Sequence, residues 1–133
     1  MLGMRVSEAM SRELTRAGPE TTIAEAASLM AQRRVGSTLV CAGERLLGIF
    51  TERDVLRAVS NDASAMREPL EHWMTRRPRT VTPDSDLDEA LRIMVEGSFR
   101  HLPVTEGGKL VGMLSMRDIS RVSLEQEKPA ELA

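Results

Sequence analysis

Apolar and polar positions along this 133-residue chain fall into two recurring patterns. In the first, Ile23, Ala26, Ala27 and Met30 stand at i, i+3, i+4 and i+7, and Leu87, Ala90, Leu91 and Met94 repeat the set. That spacing lines four side chains along one face of a helix, so it predicts two helices with a buried stripe. Start signals precede both: Thr21 or Thr22, with Glu25 at capping-box distance from Thr22, and Ser85 or Asp86. In the second pattern, β-prone runs come in pairs about a glycine turn. Residues 38–41 and 46–50 flank Ala42-Gly43-Glu44-Arg45, and residues 102–105 and 110–114 flank Glu106-Gly107-Gly108-Lys109. Each pair predicts a hairpin. The strands are apolar at nearly every position, which predicts cover on both faces. Pro103 has no N–H, so its strand should be an edge there.

The remaining elements follow from their neighbours. Thr51 and Ser115 end the hairpins and open helices, with Val55, Ala58 and Val59 inward in the first and Ile119 and Val122 in the second. Short extended segments at 14–17 and 80–82 are stopped by Gly18-Pro19 and Pro83. Helical turns are expected at 7–11 and 70–74, a polar linker at 61–67 and a frayed charged tail from 125. Each half thus has the order β-α-β-β-α, a mixed α/β (α+β) chain with two small sheets flanked by helices.

The halves are copies. An offset of 64 residues carries Leu46-Leu47-Gly48-Ile49-Phe50-Thr51-Glu52-Arg53-Asp54 onto Leu110-Val111-Gly112-Met113-Leu114-Ser115-Met116-Arg117-Asp118, and 13 of the 54 pairs it makes between 6–59 and 70–123 are identical. Ordinary composition gives roughly three by accident. Such duplication governs the reading of every motif inside it. The expected organisation is one repeat with its leader and linker over 1–66, a second over 67–124 and a tail over 125–133. Units of this size are marginal alone, so a shared core is expected.

Charge and composition narrow the function. Eighteen Lys and Arg against 20 Asp and Glu leave a net charge of −2, so there is no general basic field for nucleic acid or anionic lipid. No Tyr and only two Phe leave little for base stacking. The single cysteine excludes an intramolecular disulfide and fits a reducing compartment. No apolar run approaches the roughly 20 residues of a membrane span, and a signal-peptide core is missing. A cytoplasmic protein is expected.

Val35-Gly36-Ser37 and Phe99-Arg100-His101-Leu102-Pro103-Val104, entering the middle strands, together with the two nonapeptides, make the repeat resemble a CBS domain and the pair a CBS pair (Bateman module), from about Val6 to Ser123. The resemblance implies two repeats about a pseudo-twofold axis with two clefts between them, and association into homodimers. It implies adenosine-containing ligands such as AMP, ADP, ATP, S-adenosylmethionine or NAD, none required as a cofactor. It also implies a regulatory, non-enzymatic role read out by self-association or a separate protein effector.

The chemistry of the repeated nonapeptide suits such a ligand. A helix start offers unpaired N–H groups and partial positive charge to phosphate. Thr51 or Ser115 can add a hydroxyl, and Asp54 or Asp118, one turn on, can accept both hydrogens of a ribose diol. The same residues are also what an ordinary N-cap with an acid in the first turn looks like; two equivalent copies favour the ligand. By the family's pattern one cleft would take Ser115, Asp118 and His101 or Arg100, with the base near Thr15 to Ala17 and near Val35, Gly36 and Ser37. The other would take Thr51 and Asp54, with the base near Val81 and Phe99 to His101. Cationic side chains stand only in the second repeat, where Arg100 and His101 match Gly36 and Ser37, so the Ser115 and Asp118 cleft should bind phosphate better.

Other residues invite plainer readings. His72 and His101 lack the close second ligand a metal site needs. Cys41, in an apolar strand, reads as core filler rather than a nucleophile. The nine methionines fall mostly on helix faces and read as packing. Trp73 and Met74 are candidates for an interface between pairs; Arg33-Arg34 and Arg76-Arg77 with Arg79 read as solvated faces, with phosphate or partner contact as the alternative. A ligand-free adaptor is the alternative function. An enzyme lacks the necessary constellation of nucleophile, base and orienting group.

Overall fold

A computed structural model describes residues 3–127. In chain order its elements are β1 (Arg16–Ala17), α1 (Ile23–Arg33), β2 (Ser37–Ala42), β3 (Arg45–Thr51), α2 (Glu52–Asn61), β4 (Thr75–Arg76), α3 (Leu87–Gly97), β5 (His101–Glu106), β6 (Lys109–Ser115) and α4 (Met116–Gln126). Both hairpins, all four helices and both amphipathic stripes stand where the periodicity puts them. Ile23, Ala26 and Met30 of α1, and Leu87, Ala90 and Met94 of α3, are buried. The α1 start is a capping box: the Glu25 N–H donates to Thr22 Oγ1 at 3.1 Å, and the Thr22 N–H donates to Glu25 Oε1 at 3.1 Å. Asp86 caps α3 by accepting from the Asp88 N–H. Both helices end on a non-glycine residue in the left-handed region, Arg34 and Ser98.

The chain folds as two compact units that do not follow the repeat boundaries. Among the described residues, 14–78 form one, and 3–13 with 79–127 form the other. In the 14–78 unit, β1-β2-β3-β4 make one sheet, with β1 parallel to β2 and the other pairs antiparallel. In the second unit β5 and β6 pair antiparallel, flanked by single bridges from Val81 to Val104 and from Ser11 to Met113. These bridges are the shrunken counterparts of β1 and β4. The segment expected as a strand at 80–82 is therefore one bridge only. Pro103 tolerates this edge: its carbonyl accepts from the Val81 N–H at 3.1 Å. The hairpins share even their irregularity, a register shift after Val40 in one and after Val104 in the other.

The division explains what becomes of the opening turns. Val6 and Ala9, in a 3-10 turn over Val6–Glu8, are buried with Leu87, Met94, Leu102 and Leu114. Leu70 and Met74, around the 3-10 turn Leu70–His72, are buried with Ile23, Met30, Val40 and Phe50. Each repeat's first turn thus completes the core that holds the other repeat's hairpin. The buried hydrophobics form two clusters rather than the expected shared core, because each repeat gains its missing surface from this exchange. Met74 is buried in the 14–78 cluster, and Trp73 packs against it partly buried.

Smaller expectations also change. Residues 61–67 are not a plain linker: Ala63–Arg67 is a 3-10 turn whose Ala65 is fully buried. Val59 is 45% exposed, because the buried face of α2 runs through Asp54 and Ala58, one turn apart, and Val59 is turned away from it. Helix α4 runs on through Gln126, and most of the expected frayed tail lies outside the described residues.

Candidate functional site

The tip of α4 brings four of the expected residues together. Ser115 ends β6 with extended backbone and caps the helix, accepting from the Asp118 N–H at 3.1 Å. Asp118 Oδ2 in turn accepts from the Ser115 N–H at 2.8 Å and its hydroxyl at 2.9 Å. Directly across the ladder from Ser115 stands His101. The Met116 N–H, next along the helix, donates to the Arg100 carbonyl at 2.8 Å. Phe99 lies beside this strand entry, partly buried against Gly97, where a Cβ would collide with its ring. Val81 contributes nothing open: its side chain is core, and its N–H and C=O bond to Pro103 and Thr105.

The tip of α2 repeats the plan within the 14–78 unit. Thr51 faces Ser37 across the ladder, and the Glu52 N–H donates to the Gly36 carbonyl at 3.0 Å. Asp54 Oδ2 accepts from the Thr51 N–H at 2.9 Å and its hydroxyl at 3.3 Å. In the same unit Val35 is 41% exposed, Ser37 is buried, and Thr15 accepts from the Leu39 N–H with its carbonyl and from Arg33 Nη1 with its hydroxyl oxygen. Ala17 pairs with Val40 in the sheet. At both tips, then, the helix-start N–H of position N1 is already bonded. The hydroxyl and one carboxylate oxygen form the cap, leaving the second carboxylate oxygen, Oδ1, as the variable group.

That oxygen differs between the tips. Asp54 Oδ1 accepts from Arg57 Nη1 at 2.7 Å, and the side chain is 8% exposed. Asp118 Oδ1 is 3.6 Å from Arg121 Nη2, beyond a hydrogen bond, and the side chain is 20% exposed. Sequence reasoning passed over these arginines although Arg57 and Arg121 are one of the identical pairs; an arginine one turn after the repeated aspartate was the available signal. Elsewhere, Cys41 is buried as expected, and burial pushes its thiol up in pKa against the opposing pull of Arg16.

The glycines of the nonapeptides also have a use visible only here. A Cβ at Gly48 would stand 2.6 Å from the Thr75 carbonyl oxygen, and one at Gly112 would stand 2.7 Å from the Met10 sulfur. What approaches these glycines is the exchanged opening segment.

Compared with known proteins, residues 6–61 and 70–125 each match the CBS domain. The chain belongs to the CBS domain family. This CBS pair is 38% identical to an uncharacterised 17.7 kDa protein of Acidianus ambivalens, over 98% of this chain and 82% of that protein. Its structure is similar to that of the CBS-domain protein ATU1752 from Agrobacterium tumefaciens, with TM-score 0.86 and 32% identity over 90% of this chain and 99% of the other. It is also similar to CBSX2, solved in complex with AMP, with TM-score 0.83 and 25% identity over 95% of this chain and all of the other. The CBS pair spans less than a quarter of the length of Arabidopsis thaliana relatives that it also matches. Among the described residues no helix is long and apolar enough to cross a membrane.

Proposed function

We propose that this CBS pair is a regulatory module that binds an adenosine-containing nucleotide and catalyses no reaction of its own. The observation that carries the reading is the α4 tip, where Ser115, Asp118, Arg100 and His101 converge at one helix start and Asp118 Oδ1 stands 3.6 Å from Arg121, an ion-pair distance too long for a hydrogen bond. A carboxylate oxygen so placed accepts from a ribose hydroxyl, while the arginine and the histidine suit phosphate. The likeness to CBSX2 with AMP supports the same class of ligand. AMP, ADP and ATP fit best; S-adenosylmethionine and NAD share the adenosine but differ in charge beyond it.

Binding acts on function through differential affinity: a ligand shifts a conformation or an assembly only by as much as it prefers one form. Self-association into a homodimer, or an effector protein, is the output. Leu56 on α2 and Leu124 on α4, each 69% exposed, are apolar side chains available to such a contact.

Thermal denaturation with millimolar AMP or ATP tests the proposal. A ligand at a hundred times its Kd stabilises by about 2.7 kcal/mol, so the midpoint should rise clearly. Asp118→Asn keeps a neutral acceptor for the cap but loses the charge, and should abolish most of the rise. A midpoint unmoved by AMP, ATP, S-adenosylmethionine and NAD would overturn the reading in favour of a ligand-free adaptor.

A further inference from the structure

The two helix tips are near copies, yet their arginines behave differently, and one substitution between the repeats lies at the contact. Arg57 and Arg121 are equally exposed, at 57% and 51%, so burial does not separate them. Two neighbours differ: Glu125, which Arg121 approaches, matches Asn61, and the residue beneath each arginine also differs. Position 73 of the second repeat is Trp, and the matching position 9 of the first is Ala. Through the exchange of opening turns, Trp73 lies in the unit of Arg57, and Ala9 lies in the unit of Arg121.

The Arg57 guanidinium carbon lies 5.6 Å from the centre of the Trp73 ring, where a cation is attracted to the aromatic face. Trp73 is itself anchored: it packs, partly buried, against the cluster that holds Ile23, Leu70 and Phe50, and its Nε1–H donates to Glu68 Oε1 at 3.4 Å. So held, Arg57 reaches Asp54 Oδ1 at 2.7 Å. At the position matching Trp73, Arg121 has Ala9 and no ring. It donates instead to the Ala9 carbonyl at 3.3 Å, approaches Glu125 at 3.7 Å and leaves Asp118 Oδ1 at 3.6 Å.

We infer that Trp73 is a specificity-determining positioning residue: it holds Arg57 as a built-in occupant of the Asp54 carboxylate, so that the α2 tip is closed to a sugar diol and only the α4 tip takes one. The closure itself is independent of any ligand. Its consequence for stoichiometry rests on the nucleotide reading above. A diol arriving at Asp54 must displace a charge-assisted hydrogen bond of 2.7 Å, whereas at Asp118 it meets an oxygen 3.6 Å from the nearby arginine, a looser ion pair.

Carbodiimide-driven coupling of glycinamide to carboxylates, on the full chain and read by peptide mass spectrometry, tests the closure. Asp118 should label several-fold faster than Asp54. Arg57→Ala and Trp73→Ala should each bring Asp54 up towards the rate of Asp118, while Trp73→Phe, which keeps an aromatic face, should hold it slow. Equal rates in the unmodified chain, or an Asp54 rate that Trp73→Ala leaves unchanged, would overturn the inference. Calorimetry with AMP tests the consequence: one site per chain in the unmodified protein, two in Arg57→Ala and Trp73→Ala. Two sites in the unmodified protein, or one in every variant despite the altered labelling, would overturn the gating role. Labelling as expected with AMP bound nowhere would support the closure and count against the nucleotide reading alone.

Discussion

Gly48 lies directly beneath Thr75, so close that a Cβ on the glycine would stand 2.6 Å from the threonine's carbonyl oxygen. The contact joins β3 of one repeat to the opening segment of the next, paired as Gly48 with Arg76 and Ile49 with Thr75. Because the obstacle is backbone, it cannot swing aside. Gly48→Ala should therefore destabilise by about 1–3 kcal/mol, the usual cost of overpacking. Gly112→Ala should cost less, since its nearest neighbour is the flexible Met10 side chain. Urea denaturation of the two variants side by side checks the order.

The exchange of opening turns makes a second expectation regional. Leu70 is fully buried in the cluster of Ile23, Val40 and Phe50. Leu70→Ala should cost about 2–5 kcal/mol, the range for a large core side chain cut to alanine. Hydrogen exchange should quicken first within residues 14–78, where its cluster lies, although Leu70 belongs to the second repeat in sequence. Quickening confined to residues 79–127 would contradict the exchange.

Thr38 Oγ1 is the one buried side-chain oxygen or nitrogen among the described residues that has no hydrogen-bond partner. The matching residue of the second repeat is Leu102, also fully buried. Thr38→Val keeps the shape and the β-branching while removing the stranded hydroxyl, so it should stabilise by about 1 kcal/mol. A raised thermal midpoint is the measurement.

Glu25 is held below the usual carboxylate range, first by the Thr22 N–H and then by the Thr22 hydroxyl. A folded pKa below the unfolded one contributes stability that is present above the unfolded value and is lost as the pH falls through the folded one. Glu25→Gln should therefore be less stable than the unmodified chain at neutral pH. The difference should close in acid, below the ordinary glutamate value of 4.5. Denaturant midpoints measured from pH 7 to pH 3 would show the two curves converging.

Local information was enough for much of this fold. Ile23, Ala26 and Met30 declare α1 by their spacing, Thr22 and Glu25 declare its start, and Gly43 and Gly107, both at positive φ, declare the hairpin turns. The constant offset between Asp54 and Asp118 made the repeat and its two tips readable, as did the likeness of their flanking residues to a known family. All of these are properties of neighbours along the chain, set by steric preference, capping and periodicity.

Three-dimensional packing decided the rest. Nothing within the nonapeptides reveals that Gly48 and Gly112 make room for Thr75 and Met10, or that Val6 and Leu70 are buried with the opposite repeat. Val59 fits the apolar stripe of α2, yet the buried face runs through Asp54, whose capping bonds and Arg57 satisfy it there. By itself the sequence determined that there are two equivalent carboxylates at two helix starts. Only the tertiary structure made them unequal, because the residue that holds Arg57 in place is Trp73, sixteen positions away along the chain and brought beneath it by the fold.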